Sequence, residues 1–309
     1  MKKTVIIILG PTAIGKTSLS ITIANHYKTE IISADSRQIF KELSIGTAIP
    51  DSQQLNTVKH HLVQNHSIHE YYNASNFEME ALEIINSIFT KKDLVVMTGG
   101  SMLYIDTFCN GIDDLPTIDP EIRKNVINKF EEEGIESIRH ELKKIDPEYY
   151  QHVDLKNYKR ILHALEVYYM TGKKYSSFRS NTKKERDFGI IKIGLNIDRK
   201  TLHERINARV DKMIEEGLIE EARNLIKHKH LNSLNTVGYK ELFDYFDEKI
   251  SLPEAIDLIK RNTRRYARKQ LTWFNRDTEI DWFTPDQLEE IIQHIDSKLI
   301  SDVRNSHLL

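Results

Sequence analysis

The chain has 309 residues, 39% hydrophobic and 29% charged, a length that corresponds to about two domains at roughly 150 residues each, or to one domain with a large insertion. Scarce Gly (12) and Pro (7) exclude collagen-like and low-complexity chains, and no apolar run approaches the ~20 residues that span a bilayer. A single cysteine, Cys109, excludes an internal disulfide and a multi-cysteine zinc site, and a net charge of −2 excludes a globally basic nucleic-acid binder while leaving room for a local basic face.

Residues 4–9 (TVIIIL) are β-branched and apolar on both faces, as in a buried parallel strand. The stretch is too short for a signal-peptide core and runs into Gly10-Pro11 without a cleavage site. The expectation is a cytoplasmic monomer with no membrane contact. A loop follows at 10–16, then a helix from Thr17 to Tyr27 and a second strand at 30–34. Helical spacing returns from Asn76 to Lys91, a third strand covers 93–97, and Gly99-Gly100 turns the chain after it. Such alternation predicts an α/β fold with a parallel sheet flanked by helices, and Gly10-Pro11-Thr12-Ala13-Ile14-Gly15-Lys16-Thr17 in its first turn makes that a P-loop parallel sheet.

Asp113-Asp114-Leu115-Pro116 reads as an exit linker, the acidic pair as a turn rather than a Mg²⁺ site. From Pro120 to about Thr171 the pattern is helical and charged, with stops at Gly134, Pro147 and Gly172. Residues 173–187 read as a basic loop, and 189–197 as a returning strand. Everything beyond Asp198 reads as helical: 199–216, 218–229, 236–247 and 252–275. Ser251, Pro253 and Glu254 mark the start of the last of these. The domain reading is therefore a catalytic core in two parts, 1–115 and 186–309, the second with C-terminal basic helices, around a helical insertion at 116–185.

Gly10-Pro11-Thr12-Ala13-Ile14-Gly15-Lys16-Thr17 fits G-x-x-x-x-G-K-[ST] between a strand and a helix. Successive backbone N–H groups and a helix N-terminus make an anion cradle, Lys16 adds a charge, and the Thr17 hydroxyl is placed for Mg²⁺. The loop predicts a diphosphate or longer, without distinguishing ATP or another nucleotide from a different diphosphate ester. No carboxylate ends the third strand, where a nucleotidase would hold Mg²⁺, and no Asn-Lys-x-Asp guanine signature occurs.

Asp35 ends the second strand, on the sheet edge where ligands sit in open α/β folds. Two readings are open, a turn cap and a general base. Ser33, Asp35, Ser36, Arg37 and Gln38 together favour a loop that reads a polar substrate. Lys260, Arg261, Arg264, Arg265, Arg268, Lys269 and Arg276 form cationic stripes on the last helix, interleaved or followed by Tyr266, Trp273 and Phe274. The choice there lies between a solvated face and contact with an RNA backbone. The thirteen histidines show no metal spacing.

In the same order along nearly the whole chain, GPTAIGKT (10–17), ISADSRQ (32–38), GTA (46–48), GGSMLY (99–104), DPEIR (119–123), ALEV (164–167) and VGYK (237–240) resemble the bacterial tRNA dimethylallyltransferases. The resemblance implies transfer of a dimethylallyl group from dimethylallyl diphosphate to N6 of the adenosine just 3′ of a tRNA anticodon, with release of diphosphate and with Mg²⁺ as cofactor. It implies Asp35 as general base and Thr12 on the diphosphate oxygens. Lys16 and Thr17 would hold diphosphate and metal, and Arg209 would supply a second cation, with Arg205 its competitor. Asp35, Ser36, Arg37, Gln38, Ser101, Arg123 and the segment Lys159, Arg160, Ile161, Leu162, His163 would touch tRNA. Relatives often carry Thr in place of Ser101, and Gln-Arg-x-x-Arg in place of 159–163. The resemblance also moves the last helix toward RNA contact. Three other readings are a P-loop small-molecule or nucleoside kinase, prenyl transfer to free AMP, and a nucleotide-dependent RNA-binding switch.

Overall fold

The computed structural model describes residues 2–113, 115–116, 118–179 and 183–306, with side chains to 301. Asp114 of the acidic pair and residues 180–182 of the basic loop lie outside them. The chain divides into two compact units, Met1–Asn110 with Glu185–Leu309, and Gly111–Lys184.

The first unit is built on six parallel strands in the order β3-β2-β4-β1-β5-β6: β1 (Thr4–Leu9), β2 (Ile31–Ala34), β3 (His60–His61), β4 (Leu94–Gly99), β5 (Gly189–Leu195) and β6 (Ile280–Phe283). All six residues of β1 are buried, as its unbroken apolar run predicts for a central strand. The register sets Leu9 beside Gly99, and Gly99 beside Ala34. The residues that follow, Gly10, Gly100 and Asp35, therefore leave the sheet along one edge. Gly99 is required there, because a Cβ would run into the Ala34 carbonyl.

Helices α1 (Lys16–His26), α2 (Ser52–Thr57), α3 (Ala74–Phe89) and α4 (Met102–Asn110) belong to this unit. Asp51 and Asn73 start α2 and α3 with reciprocal capping boxes. Cys109, near the end of α4, is half-buried, and that burial pushes its thiol up to about 12.

In the helical unit, α5 (Pro120–Ile145), α6 (Pro147–His152) and α7 (Tyr158–Thr171) pack around their own core of Val126, Ile138, Leu142, Tyr149, Ile161 and Leu165. The three sequence stops act there. Gly134 leaves helical geometry at φ 79°, Pro147 opens α6 behind the Asp146 cap, and Gly172 closes α7 at φ 71°.

The chain returns to the first unit for α8 (Arg199–Glu215), α9 (Leu218–Leu225), α10 (Tyr239–Phe246), α11 (Leu252–Phe274) and α12 (Leu288–Ser306). Reading everything beyond Asp198 as helical is corrected by β6. Its four residues are held by contacts distant in sequence. Buried Lys192 of β5 pairs with Asp277 (2.7 Å) and Glu279 (2.8 Å) just ahead of the strand, and β6 pairs along β5 from Lys192↔Ile280 to Leu195↔Phe283. Gly194 leaves room for the Ile280 and Trp282 side chains.

Candidate active site

The phosphate loop is shaped by backbone geometry. Gly10 adopts φ 147° against β5, where a Cβ would lie 2.7 Å from the Leu195 carbonyl oxygen. Gly15, at φ 106°, is the N-cap of α1 and brings no side-chain cap, so the first-turn amides face the loop open to an anion. Lys16 Nζ donates to the carbonyls of Gly10 (3.1 Å) and Pro11 (2.8 Å). Burial, and then the Arg209 charge, lower Lys16 to about 7 against the opposing pull of Asp35. An arriving anion favours the charged form of Lys16 and pulls its value back up.

Asp35 opens a turn, as its cap reading requires: Oδ1 accepts from the Arg37 amide (2.9 Å) and the Gln38 amide (3.2 Å). Its other oxygen has no partner among the described residues, so the same side chain serves the turn and keeps an acceptor for a ligand. Ser101 is buried, and its Oγ accepts from the Ser36 amide at 2.8 Å. Gln38 is fully used: its side chain accepts from Ser33 Oγ (3.1 Å) and donates to the carbonyls of Thr47 (3.2 Å) and Ala48 (3.0 Å). Burial lowers the half-buried Arg37, with Tyr104, Asp35 and Tyr266 acting in the opposite direction.

Two cavities meet at this turn. The first, about 320 Å³, is lined by the phosphate loop from Thr12 to Ser18, with Gly100, Arg205 and Gln270. The second, about 370 Å³, combines Ser36, Arg37 and Thr47 with an apolar wall of Val210, Met213, Leu218, Val237 and Ile259. Thr12, Asp35, Arg209 and Tyr266 line both. The two candidate cations thus divide. Arg205 donates to the Ile14 carbonyl (3.3 Å) in the first cavity, whereas Arg209 is shared, with Asp35 countering part of its desolvation.

The sequence reading missed Gln270 and Tyr266 as site residues. Buried Gln270 donates to Gly100 O (2.8 Å) and accepts from the Thr12 amide (2.9 Å), latching α11 onto the phosphate loop. The signal was its position: Ile259, Thr263, Tyr266 and Gln270 recur at helical spacing, and all four line the cavities. None of the basic residues of α11 does so. Lys260 pairs with Asp211 (2.5 Å) and Arg264 donates to Asn207 (2.5 Å), which removes both from a uniformly free stripe. Arg261, Arg264, Arg265 and Arg268 instead share a depression of about 440 Å³ with Arg199 and His203 of α8. Burial, then the charges of Arg199 and Arg264, lower the His203 imidazole.

In the helical unit, Arg123 and His163 converge on buried Glu166, at 3.3 and 3.2 Å. Lys159 and Arg160 are exposed. Ile161 (0% exposed) and Leu162 (7%) belong to that unit's core, so their side chains are not available to a ligand.

Residues 38–277 match the family described as IPP transferase. The chain is 55% identical over 292 residues to tRNA dimethylallyltransferase 1 of Bacteroides thetaiotaomicron, covering 94% of this chain and 95% of that one. It is 52% identical to tRNA dimethylallyltransferase of Christiangramia forsetii, with 97% and 99% coverage. Among solved structures, tRNA isopentenylpyrophosphate transferase of Bacillus halodurans superposes with a TM-score of 0.73 at 33% identity, over 99% of this chain and all of that one. A eukaryotic dimethylallyltransferase acting on tRNA gives a TM-score of 0.82 at 26% identity, over 97% of this chain and 80% of that one. The chain therefore belongs to the IPP transferase family, the tRNA dimethylallyltransferases.

Proposed function

We infer that this chain transfers a dimethylallyl group to an adenosine of tRNA, and propose that the acceptor is N6 of the adenosine just 3′ of the anticodon, with dimethylallyl diphosphate as donor and Asp35 as the base. One observation carries the assignment of roles: Asp35 sits where the phosphate-loop cavity and the partly apolar cavity meet, beside Thr12 and Arg209. The donor's diphosphate lies in the first cavity, on the loop amides with Lys16, Arg205 and Arg209. Its allyl group and the adenine meet in the second.

The bond from allyl C1 to the diphosphate oxygen breaks, and the bond from N6 to C1 forms. The N6 proton passes to the free Asp35 oxygen, and diphosphate leaves carrying the bonding pair. Cations around the loop stabilise charge as it develops on the leaving group, which is electrostatic catalysis without phosphoryl transfer. The adenine amine is a poor nucleophile, because its lone pair is conjugated with the ring. A base within hydrogen-bond reach contributes typically ~10²–10⁴-fold to such a step. Bringing the base out of its loop stack costs a few kcal/mol. We assign that cost to contacts from Ser36 and Arg37, from Arg123, Lys159, Arg160 and His163 in the helical unit, and from the exposed cations of α11.

Mg²⁺ fits this donor set. Among the described residues no cluster of three or more His, Cys, Asp or Glu side chains could cage a metal, while the Thr17 hydroxyl and Asp35 line the diphosphate cavity. A hard ion bound through one protein oxygen and substrate phosphates matches the habit of Mg²⁺. Thr17 would hold it, and its charge would stabilise the departing diphosphate.

The test is to incubate the purified chain with unmodified tRNA and either dimethylallyl diphosphate or ATP. The expected result is a dimethylallyl mass increment on the anticodon-loop adenosine with equimolar diphosphate. Consumption of ATP with no increment on tRNA would return the chain to the kinase reading.

A further inference from the structure

The segment 44–48, which walls both cavities, is held from outside the site by one carboxylate. Glu221 of α9 accepts three successive amides: Ser44 (3.1 Å) and Ile45 (2.8 Å) on Oε2, and Gly46 (2.9 Å) on Oε1. Oε1 also accepts from the hydroxyl of Tyr239 at 2.6 Å. Three consecutive N–H groups aimed at one point form an anion nest, and here the protein fills it with its own side chain. Tyr239 of α10 is fully buried. Burial and the Glu221 charge push its phenol up, so it remains a donor. Gly46 lies flat against that ring, where a Cβ would come within 2.6 Å of it.

What the carboxylate fixes reaches the reacting atoms. Gly46 and Thr47 line the second cavity, and Ala48 lines the first. The carbonyls of Thr47 and Ala48 receive the Gln38 side chain, and the Gln38 amide donates to Asp35 Oδ1. Ala48 holds φ 45°, a left-handed conformation that a non-glycine residue keeps only where its surroundings impose it. A continuous set of hydrogen bonds therefore runs from Glu221 through 44–48 and Gln38 to the carboxylate at the junction of the cavities.

We propose that Glu221, with Tyr239 as its partner, is a positioning residue for prenyl transfer: it sets the 44–48 wall and, through Gln38, the aim of Asp35. The proposal rests on the reading of Asp35 as base. It separates chemistry from donor binding: Ala48 and Gln38 border the first cavity, but the loop amides, Lys16, Arg205 and Arg209 that hold the diphosphate are placed by β1, α1, α8 and Gln270, outside this set of bonds.

The test uses the full chain with Glu221→Gln and Tyr239→Phe. Glutamine keeps the size but confronts the amides with an N–H₂ group in place of one accepting oxygen. Expected for Glu221→Gln is a fall in kcat of at least about tenfold, toward the ~10²-fold that small misplacements of reacting groups cost. Pyrophosphate affinity, read by calorimetry, stays at the wild-type value. Tyr239→Phe shows the same pattern with a smaller loss. Wild-type kcat per folded molecule in Glu221→Gln, whatever its melting midpoint, overturns the proposal. So does a loss of turnover matched by an equal loss of pyrophosphate binding, the mark of simple unfolding. If Glu221→Gln does not fold, Tyr239→Phe decides: an unchanged kcat overturns the proposal, and a lowered kcat with intact pyrophosphate binding supports it. A parallel Asp35→Asn chain tests the underlying reading separately, because prenylation surviving in that variant removes the base without touching the wall.

Discussion

Asp35→Asn keeps an oxygen for the Arg37 and Gln38 amides, so the turn survives while the proton acceptor is lost. The expected outcome is a ~10²–10⁴-fold fall in single-turnover prenylation with tRNA affinity retained. Lys16 gives a second residue-scale prediction. Its folded value of about 7 lies below its ordinary 10.5, so above pH 7 the free site is mostly neutral. Bound diphosphate favours the charged form, so binding above pH 7 must take up a proton, and affinity falls as pH rises through that range. Calorimetry at pH 8 in buffers of different ionisation enthalpy should show uptake of up to one proton in the wild type. Lys16→Arg, whose guanidinium stays charged, should take up as much as one proton fewer than the wild type, a difference from which the ligand's own protonation cancels. At this scale the sequence was most informative where a side chain is bound to a local backbone shape. The phosphate loop and the Asp35 turn were both readable because Gly10, Gly15 and the Asp-Ser-Arg-Gln string act on their neighbours. Gln270 and Glu221 act on residues more than a hundred positions away; helical spacing with Ile259, Thr263 and Tyr266 is the only mark Gln270 carries, and Glu221 carries none.

Among the elements, α11 has two separate duties. One face delivers Ile259, Thr263, Tyr266 and Gln270 to the cavities, and another exposes Arg261, Arg265 and Arg268. Changing those three arginines to Gln should weaken tRNA binding and lower its log–log salt slope by roughly 0.7–0.9 for each phosphate that is no longer neutralised. Pyrophosphate affinity should be unchanged, because none of the three lines the phosphate-loop cavity. An unaltered slope in filter-binding assays would make the face merely solvated. The seven-cation pattern was plain in the sequence, but Asp211 and Asn207, which occupy Lys260 and Arg264, belong to a helix some fifty residues earlier. Gly100 is a further constraint on this element, since a Cβ there would collide with the Gln270 amide. Gly100→Ala should cost about 1–3 kcal/mol in denaturant unfolding, the usual range for overpacking.

At the scale of the whole chain, the core closes around the ends of its own interruption. Arg186 Nε donates to the Phe108 carbonyl (2.9 Å), and Nη2 reaches the Thr107 carbonyl (3.1 Å) and Glu78 (2.5 Å). Departure and return of the chain are therefore adjacent, and the helical unit has a hydrophobic core of its own. Replacing 111–184 by a short Gly/Ser linker should leave a folded core that binds pyrophosphate with wild-type affinity and loses most of its tRNA affinity. Calorimetry and filter binding check the two halves of that statement. The parallel-sheet class and the helical character of the middle of the chain were legible from strand–helix alternation and from Gly134, Pro147 and Gly172. The edge strands were not, because β3 has two residues and β6 (IDWF), unlike the equally short β2, carries no buried apolar run, so both are fixed by the neighbours they pair with.

The half-buried Cys109 thiol, pushed up to about 12, has a practical corollary. Burial favours the neutral thiol over the thiolate, the form that reacts with maleimides, so the native protein should label slowly at neutral pH, which a timed maleimide assay checks. A pair of cysteines introduced at exposed positions such as Lys173 and Lys200 would take fluorophores cleanly. Each fluorophore would report on its own unit without first having to engineer a cysteine-free background.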